Sequence, residues 1–279
     1  MTRNALSAAL IALACLLVPF GALAAWASYG LADTGRYVTA MAPLATDPAV
    51  REAVAHTVGD GIVRETGAEA PMRPFVHDAV RSFTGTDAFR TAWDSGNRAV
   101  HDAVLRAVRD GGEGEVRVDL APVAAEVKAR LAADNMPLAS RIPVEHTEVA
   151  VLPADELDRL RRGFHVLEIA GFWLPVAAAV LAVAGIAVAA CRRRAVTATA
   201  LGTALGGAFL ALAVALGRRL TLADLPEDVH RPAAGAVYDA LTATLRTVSW
   251  LLVAVGLAVA LGTWLLTRRR QPSVSASRP

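Results

Sequence analysis

Apolar residues are distributed in two ways along this chain. They form four long blocks, at residues 5–27, 169–190, 195–216 and 249–267, none of which contains a Lys, Arg, His, Asp or Glu. Elsewhere they recur at helical or strand spacing among charged residues. The 22 residues of 169–190 rise about 1.5 Å each as a helix, enough to cross a hydrocarbon layer of roughly 30 Å. The same holds for the other three blocks, so the pattern predicts four transmembrane helices.

The stretch 29–165 predicts a mostly helical domain containing a small β element. Thr46-Asp47-Pro48 has the form of an N-cap and first-turn proline, and Val50, Val54, Val58 and Ile62 follow every fourth residue. Gly67 and Pro71 end that helix. A short helix is expected around 75–83, broken by Gly85. Thr86 caps a longer one to about Arg109, with Phe89, Trp93, Val100, Val104 and Val108 as its buried stripe and Gly111-Gly112 as its stop. Val116, Val118 and Leu120 alternate with Arg117 and Asp119, the signature of a half-buried strand. Pro122 opens a helix through Val123, Val127 and Leu131, 135–143 is a turn region, and 144–152 is a second strand able to pair with the first. A last helix carries Leu157, Leu160, Phe164 and Leu167 on one face and meets no breaker before the second apolar block.

The domain boundaries that follow are 1–28 for an N-terminal anchor, 29–165 for the domain, 166–194 for the second spanning helix and its turn, and 195–217 for the third. Residues 218–248 form a polar connection in which Val237, Leu241 and Leu245 predict an amphipathic helix beside the membrane. Residues 249–267 form the fourth span and 268–279 a tail. The first block is longer than the 7–15 apolar residues of a signal-peptide core. Ala22-Leu23-Ala24 would serve as a cleavage site, yet the length favours a retained anchor.

Charge then orients the spans. Arg3, Arg192 to Arg194 and Arg268 to Arg270 flank the blocks where the positive-inside rule would place cytoplasm. Both termini are therefore expected in the cytoplasm of a multi-pass plasma-membrane protein, with 29–165 extracytoplasmic. Arg218, Arg219, Arg231 and Arg246 on the opposite side weaken the asymmetry. The overall composition agrees: 54% of residues are hydrophobic, only 19% are charged, and the net charge is +2. A near-neutral chain without a basic tract excludes nucleic acid as a partner. Cys15 and Cys191 both lie in or beside apolar blocks, so no disulfide is expected within 29–165.

Candidate chemistry is sparse. Phe89, Trp93, Asn97 and His101 recur at four-residue spacing. Asn97 falls only about 40° around the helix from Trp93, inside the apolar face, with His101 near its edge. An amide there requires partners, and the expected ones are the backbone of a neighbouring loop for Asn97 and a nearby cap or pair for His101. These four residues are the candidate structural or binding positions. His56, His77, His101, His146 and His165 are scattered, with no metal-binding spacing. No nucleophile elbow is present, and Gly111-Gly112-Glu113-Gly114 lacks the lysine of a phosphate loop. No catalytic residue, cofactor or metal is expected. Gly202 and Gly206 have the GxxxG spacing that lets helices approach closely, and Gly171, Gly185, Gly207, Gly256 and Gly262 offer similar surfaces. With no Lys, Arg, His, Asp or Glu deep in a block, ion-coupled transport is disfavoured.

Four stretches carry a resemblance: Asp33-Thr34-Gly35-Arg36-Tyr37-Val38, Pro43-Leu44-Ala45-Thr46-Asp47-Pro48-Ala49-Val50, Phe89-Arg90-Thr91-Ala92-Trp93-Asp94-Ser95-Gly96-Asn97-Arg98-Ala99-Val100-His101 and Val118-Asp119-Leu120-Ala121-Pro122. With them the chain resembles a family of uncharacterised actinobacterial integral membrane proteins. The resemblance implies an N-terminal anchor, a large external domain and further membrane helices toward the C-terminus. It brings no activity. The expected function is a non-enzymatic cell-envelope protein, anchored in the lipid bilayer, whose external domain binds an envelope protein or cell-wall ligand. The alternative is a transporter or channel component with an accessory external domain, and an envelope hydrolase is a distant third.

Overall fold

The computed structural model describes residues 2–67, 70–110, 116–119, 121–133, 148–225 and 230–268. Its helices are α1 (Thr2–Trp26), α2 (Thr34–Met41), α3 (Pro48–Thr66), α4 (Arg73–Thr84), α5 (Asp87–Asp110), α6 (Ala121–Ala133), α7 (Ala154–Val188), α8 (Arg192–Ala223) and α9 (Arg231–Arg268). Strands β1 (Val116–Asp119) and β2 (Glu148–Leu152) form an antiparallel pair with Val118 opposite Val149. The chain divides into two compact units. One comprises Met1–Ser28, Leu167–Gly217 and Ala243–Pro279; the other comprises Tyr29–Val166 and Arg218–Thr242.

In the first unit, α1, α7, α8 and α9 are all long and apolar enough to cross a membrane. Large hydrophobic side chains such as Phe172, Trp173, Val183, Leu205, Leu212 and Trp250 point outward, whereas the small residues face the neighbouring helices. A Cβ at Gly207 would lie 2.8 Å from the carbonyl oxygen of Ser249, and one at Gly256 2.5 Å from that of Ala200. Glycine is therefore what brings α8 and α9 together. Gly202 and Gly206 face α1, where a side chain would meet Cys15 and Pro19, and Gly185 faces Ile11. Gly262 departs from the expected pattern, since nothing lies within 4 Å of its Cβ position.

In the second unit, local chemistry sets the helix ends. Asp47 caps α3 by accepting from the amides of Ala49 and Val50 at 2.8 and 3.2 Å, a bond type worth about 1 kcal/mol. Gly67 ends the same helix at φ 63°, the left-handed conformation that costs glycine least. Thr86 caps α5 by accepting from Phe89 N at 3.2 Å. Met41, Leu44, Val50 and Ala53 form a core with Ala233, against which Tyr37, Trp93, Val237 and Leu241 pack. A second cluster joins Val108, Val116 and Leu157, with Phe164 packed against it.

Several features differ from the sequence pattern. The segment 27–41, which shows no obvious period, is a π-turn followed by α2, whose cap is Asp33 accepting from Arg36 N at 2.8 Å. Val237 and Leu241 do not belong to a separate amphipathic helix. They lie in the opening turns of α9, a continuous 38-residue helix. Pro232 is tolerated in the first turn, and no further proline follows before residue 268, so nothing stops the helix. Val58, Ile62 and Leu160 are exposed. The four-residue spacing of Val50, Val54, Val58 and Ile62 drifts by about 40° at each step, so a stripe that starts in the core leaves it within a few turns. The helix through 154–188 is continuous as expected. Expectations for 111–115, 120, 134–147 and 269–279 fall outside the described residues.

Candidate functional site

Phe89 and Trp93 lie one turn apart on α5 and turn toward α3 and α4. Their ring centroids are 6.1 Å apart, and the Phe83 ring of α4 meets Phe89 edge-on at 6.0 Å. Together with Val54, Val58 and Val80 they line an open groove of about 370 Å³. The lining is almost wholly apolar, with Asn97 and Thr84 as the polar side chains in it. Thr84 is buried and donates to Arg81 O at 2.8 Å, so it offers the groove little beyond its methyl group.

Three of the four sequence candidates thus share one surface, and the fourth does not. Asn97 Nδ2 donates to the carbonyl of Trp93, one turn earlier on its own helix, at 2.8 Å. Among the described residues the expected bond to a neighbouring loop is not made, and its own helix supplies the acceptor. His101 turns toward α2. Its ring stacks on Tyr37 with centroids 4.1 Å apart, Nε2 lies 2.9 Å from Leu31 O, and Nδ1 lies 3.1 Å from Thr34 Oγ1. Thr34 also donates to Asp102 at 2.5 Å. Burial pushes the His101 imidazole toward its neutral form, opposed by the Leu31 carbonyl and the nearby Asp102 carboxylate. Burial likewise raises the Tyr37 phenol. His101 is therefore a tie between α5 and the start of α2, whereas the groove is framed by Phe89 and Trp93.

Sequence reasoning missed the most polar juxtaposition in this unit. His56, Asp60, His77 and His230 meet although 174 positions separate the first from the last. The i, i+4 pair of His56 and Asp60 was the only local signal. Among the described residues no three His, Cys, Asp or Glu side chains are placed to hold a metal ion. Beside this group, Arg81 grips both oxygens of Glu52 at 2.6 and 2.9 Å, and this hydrogen-bonded pairing holds the Glu52 carboxyl below its ordinary range. Among the described residues that line the groove there is no nucleophile–base pair. No family model, no curated protein and no solved structure matches the chain.

Proposed function

We propose that this chain is a non-enzymatic protein of the cell envelope. Its four apolar helices span the plasma membrane with both termini cytoplasmic, and residues 29–165 lie outside. There, the groove between α3, α4 and α5 binds an apolar element of a partner protein or envelope ligand. The observation that carries this reading is the groove itself, an open surface lined by aromatic and valine side chains. Apolar concavities with few polar groups are the usual form of a binding site. The interior of the spanning helices favours an anchor over a transport path. Ser7, Thr199 and Ser249 there bond to carbonyls at 2.7, 2.9 and 2.8 Å, and Thr197 Oγ1 lies 2.9 Å from Thr263 Oγ1.

A photoreactive benzophenone side chain at Val58, in the groove, tests the reading in intact cells. The expected result is an adduct of one defined mass at Val58, absent at the exposed control position Phe75 and lost when Ala92→Glu places a charge in the groove. Identical adducts at Val58 and Phe75 would overturn it.

A further inference from the structure

Positive charge in the membrane unit gathers at one end. Ser7, near the start of α1, donates to Gly185 O near the end of α7 at 2.7 Å. Thr197 Oγ1, near the start of α8, lies 2.9 Å from Thr263 Oγ1 near the end of α9. These contacts put Arg3, Arg192, Arg193 and Arg194 at the same end of the unit. No Asp or Glu occurs in residues 1–32, 169–223 or 240–279, so none stands there to balance them. Glu168 is the unit's one Asp or Glu. Ser28 donates to Leu167 O at 2.7 Å, which sets Glu168 at the opposite end. Between α8 and α9 the basic end holds a cleft of about 460 Å³, lined by Cys191, Arg193, Arg194, Leu201 and Trp264 among others. We propose that this cleft binds an anionic phospholipid, whose phosphate meets Arg193 and Arg194 and whose acyl chain lies along Leu201. The proposal rests on these helices spanning a bilayer. It does not rest on the groove between α3, α4 and α5, nor on which end faces the cytoplasm.

The order of side chains along the cleft carries the argument. Arg193 and Arg194 open α8 and are exposed. Thr197 meets Thr263 about one turn further in, and Trp264 adjoins Thr263 on α9. Leu201 lies seven residues beyond Arg194, about 10.5 Å along α8. Trp264 and Leu201 are both half exposed. Guanidinium, indole and leucine thus follow one another from the end of the helices inward. Phosphate, glycerol ester and acyl chain follow in the same order in a phospholipid, with the indole at the level where aromatic side chains favour the bilayer interface.

The polar groups of the cleft select the headgroup. Thr197 Oγ1 donates to Arg193 O at 3.0 Å and Thr263 Oγ1 to Ala260 O at 2.8 Å, so both hydroxyl protons serve their own helices. The two guanidiniums are left to meet an anion, and their N–H forks match phosphate oxygens two at a time. A free phosphate would leave the apolar wall of Ala198 and Leu201 uncovered. A lipid of the surrounding bilayer covers that wall with its chain and brings the phosphate to the arginines. Basic pockets between spanning helices hold anionic headgroups for this reason.

Native mass spectrometry of the full chain in detergent tests this, after exposure to equal amounts of phosphatidylglycerol and phosphatidylethanolamine with the same acyl chains. The expected result is one retained phosphatidylglycerol per chain, favoured about tenfold over phosphatidylethanolamine. Arg193→Gln combined with Arg194→Gln should remove that preference. Ala198→Trp, which fills the cleft without changing its charge, should remove the retained lipid. Arg3→Gln, at the same end but outside the cleft lining, should change neither. Glycerol 3-phosphate at about 1 mM, a headgroup without chains, should not displace the lipid from the wild-type chain. Equal retention of the two lipids by wild type, retention unaffected by Ala198→Trp, equal effects of Arg3→Gln and the double variant, or displacement by glycerol 3-phosphate would each overturn the proposal. Carbonate extraction of membranes holding the chain tests the spanning helices separately. A chain that is extracted removes the spanning reading, whereas an integral chain without lipid preference removes the cleft alone.

Discussion

The indole Nε1 of Trp93 donates to the backbone carbonyl of Met41 at 2.9 Å, while the same residue lines the apolar groove. One side chain therefore fastens the last residue of α2 to α5 and shapes the candidate binding surface. Trp93→Phe keeps much of the ring but removes the donor, and it should cost about 1 kcal/mol of stability. Trp93→Ala also empties the packing against Phe89 and should cost about 3–5 kcal/mol. Thermal unfolding of the full chain in nanodiscs, followed by loss of the near-ultraviolet aromatic signal, separates the two.

Asn97 should behave differently. Among the described residues its amide bonds the Trp93 carbonyl one turn away and no other group, an acceptor already placed to serve the helix ladder. Asn97→Leu should therefore change stability by less than about 1 kcal/mol. A loss several times larger, in the same unfolding measurement, would show that Asn97 holds a bond across elements.

The glycines of the membrane unit divide into two classes. Gly256→Ala should be strongly destabilising, because its Cβ would lie 2.5 Å from a backbone oxygen of α8 that cannot swing aside. Overpacking of this kind costs about 1–3 kcal/mol. Gly262→Ala has open space around it and should be neutral or slightly stabilising. Resistance to denaturation in mild detergent, read by gel-filtration profile after heating, orders the two variants.

His101 gives the stability a pH dependence of known sign. Burial holds its imidazole below the ordinary value in the folded chain, so the unfolded chain binds the proton more readily. The stabilisation is fully present above about pH 6.5, the ordinary imidazole value, and is lost as pH falls through the lower folded value. His101→Gln should remove that share of the acid sensitivity. Melting temperatures of wild type and variant at about pH 7.5 and pH 5 should therefore differ less across pH for the variant.

Topology can be read with a native reporter. Cys191 is exposed at the turn between α7 and α8, and Arg90 is exposed on α5. If residues 29–165 are outside, a membrane-impermeant maleimide added to intact cells should label Arg90→Cys. It should reach Cys191 only after permeabilisation. The reverse pattern would invert the arrangement.

Sequence alone determined the features that depend on neighbours within a turn or two. The four apolar helices were legible because a segment without charge for about 20 residues has few other solutions. The caps at Asp47 and Thr86 and the left-handed stop at Gly67 were legible because a single side chain, or its absence, decides each. The alternation of Val116 and Val118 around Arg117 announced β1. Tertiary structure decided everything that depends on which surfaces meet. Periodicity placed Asn97 beside Trp93, but only the packing of α3, α4 and α5 made that face a groove and turned His101 away toward Tyr37. Their small size marked both Gly256 and Gly262 as contact candidates, yet only helix placement set one against Ala200 and left the other open. The meeting of His56, Asp60, His77 and His230 was the least legible. No short-range pattern links a residue on α3 to one at the start of α9, and the contact exists because the opening turns of α9 pack on the core formed with Met41, Leu44 and Val50.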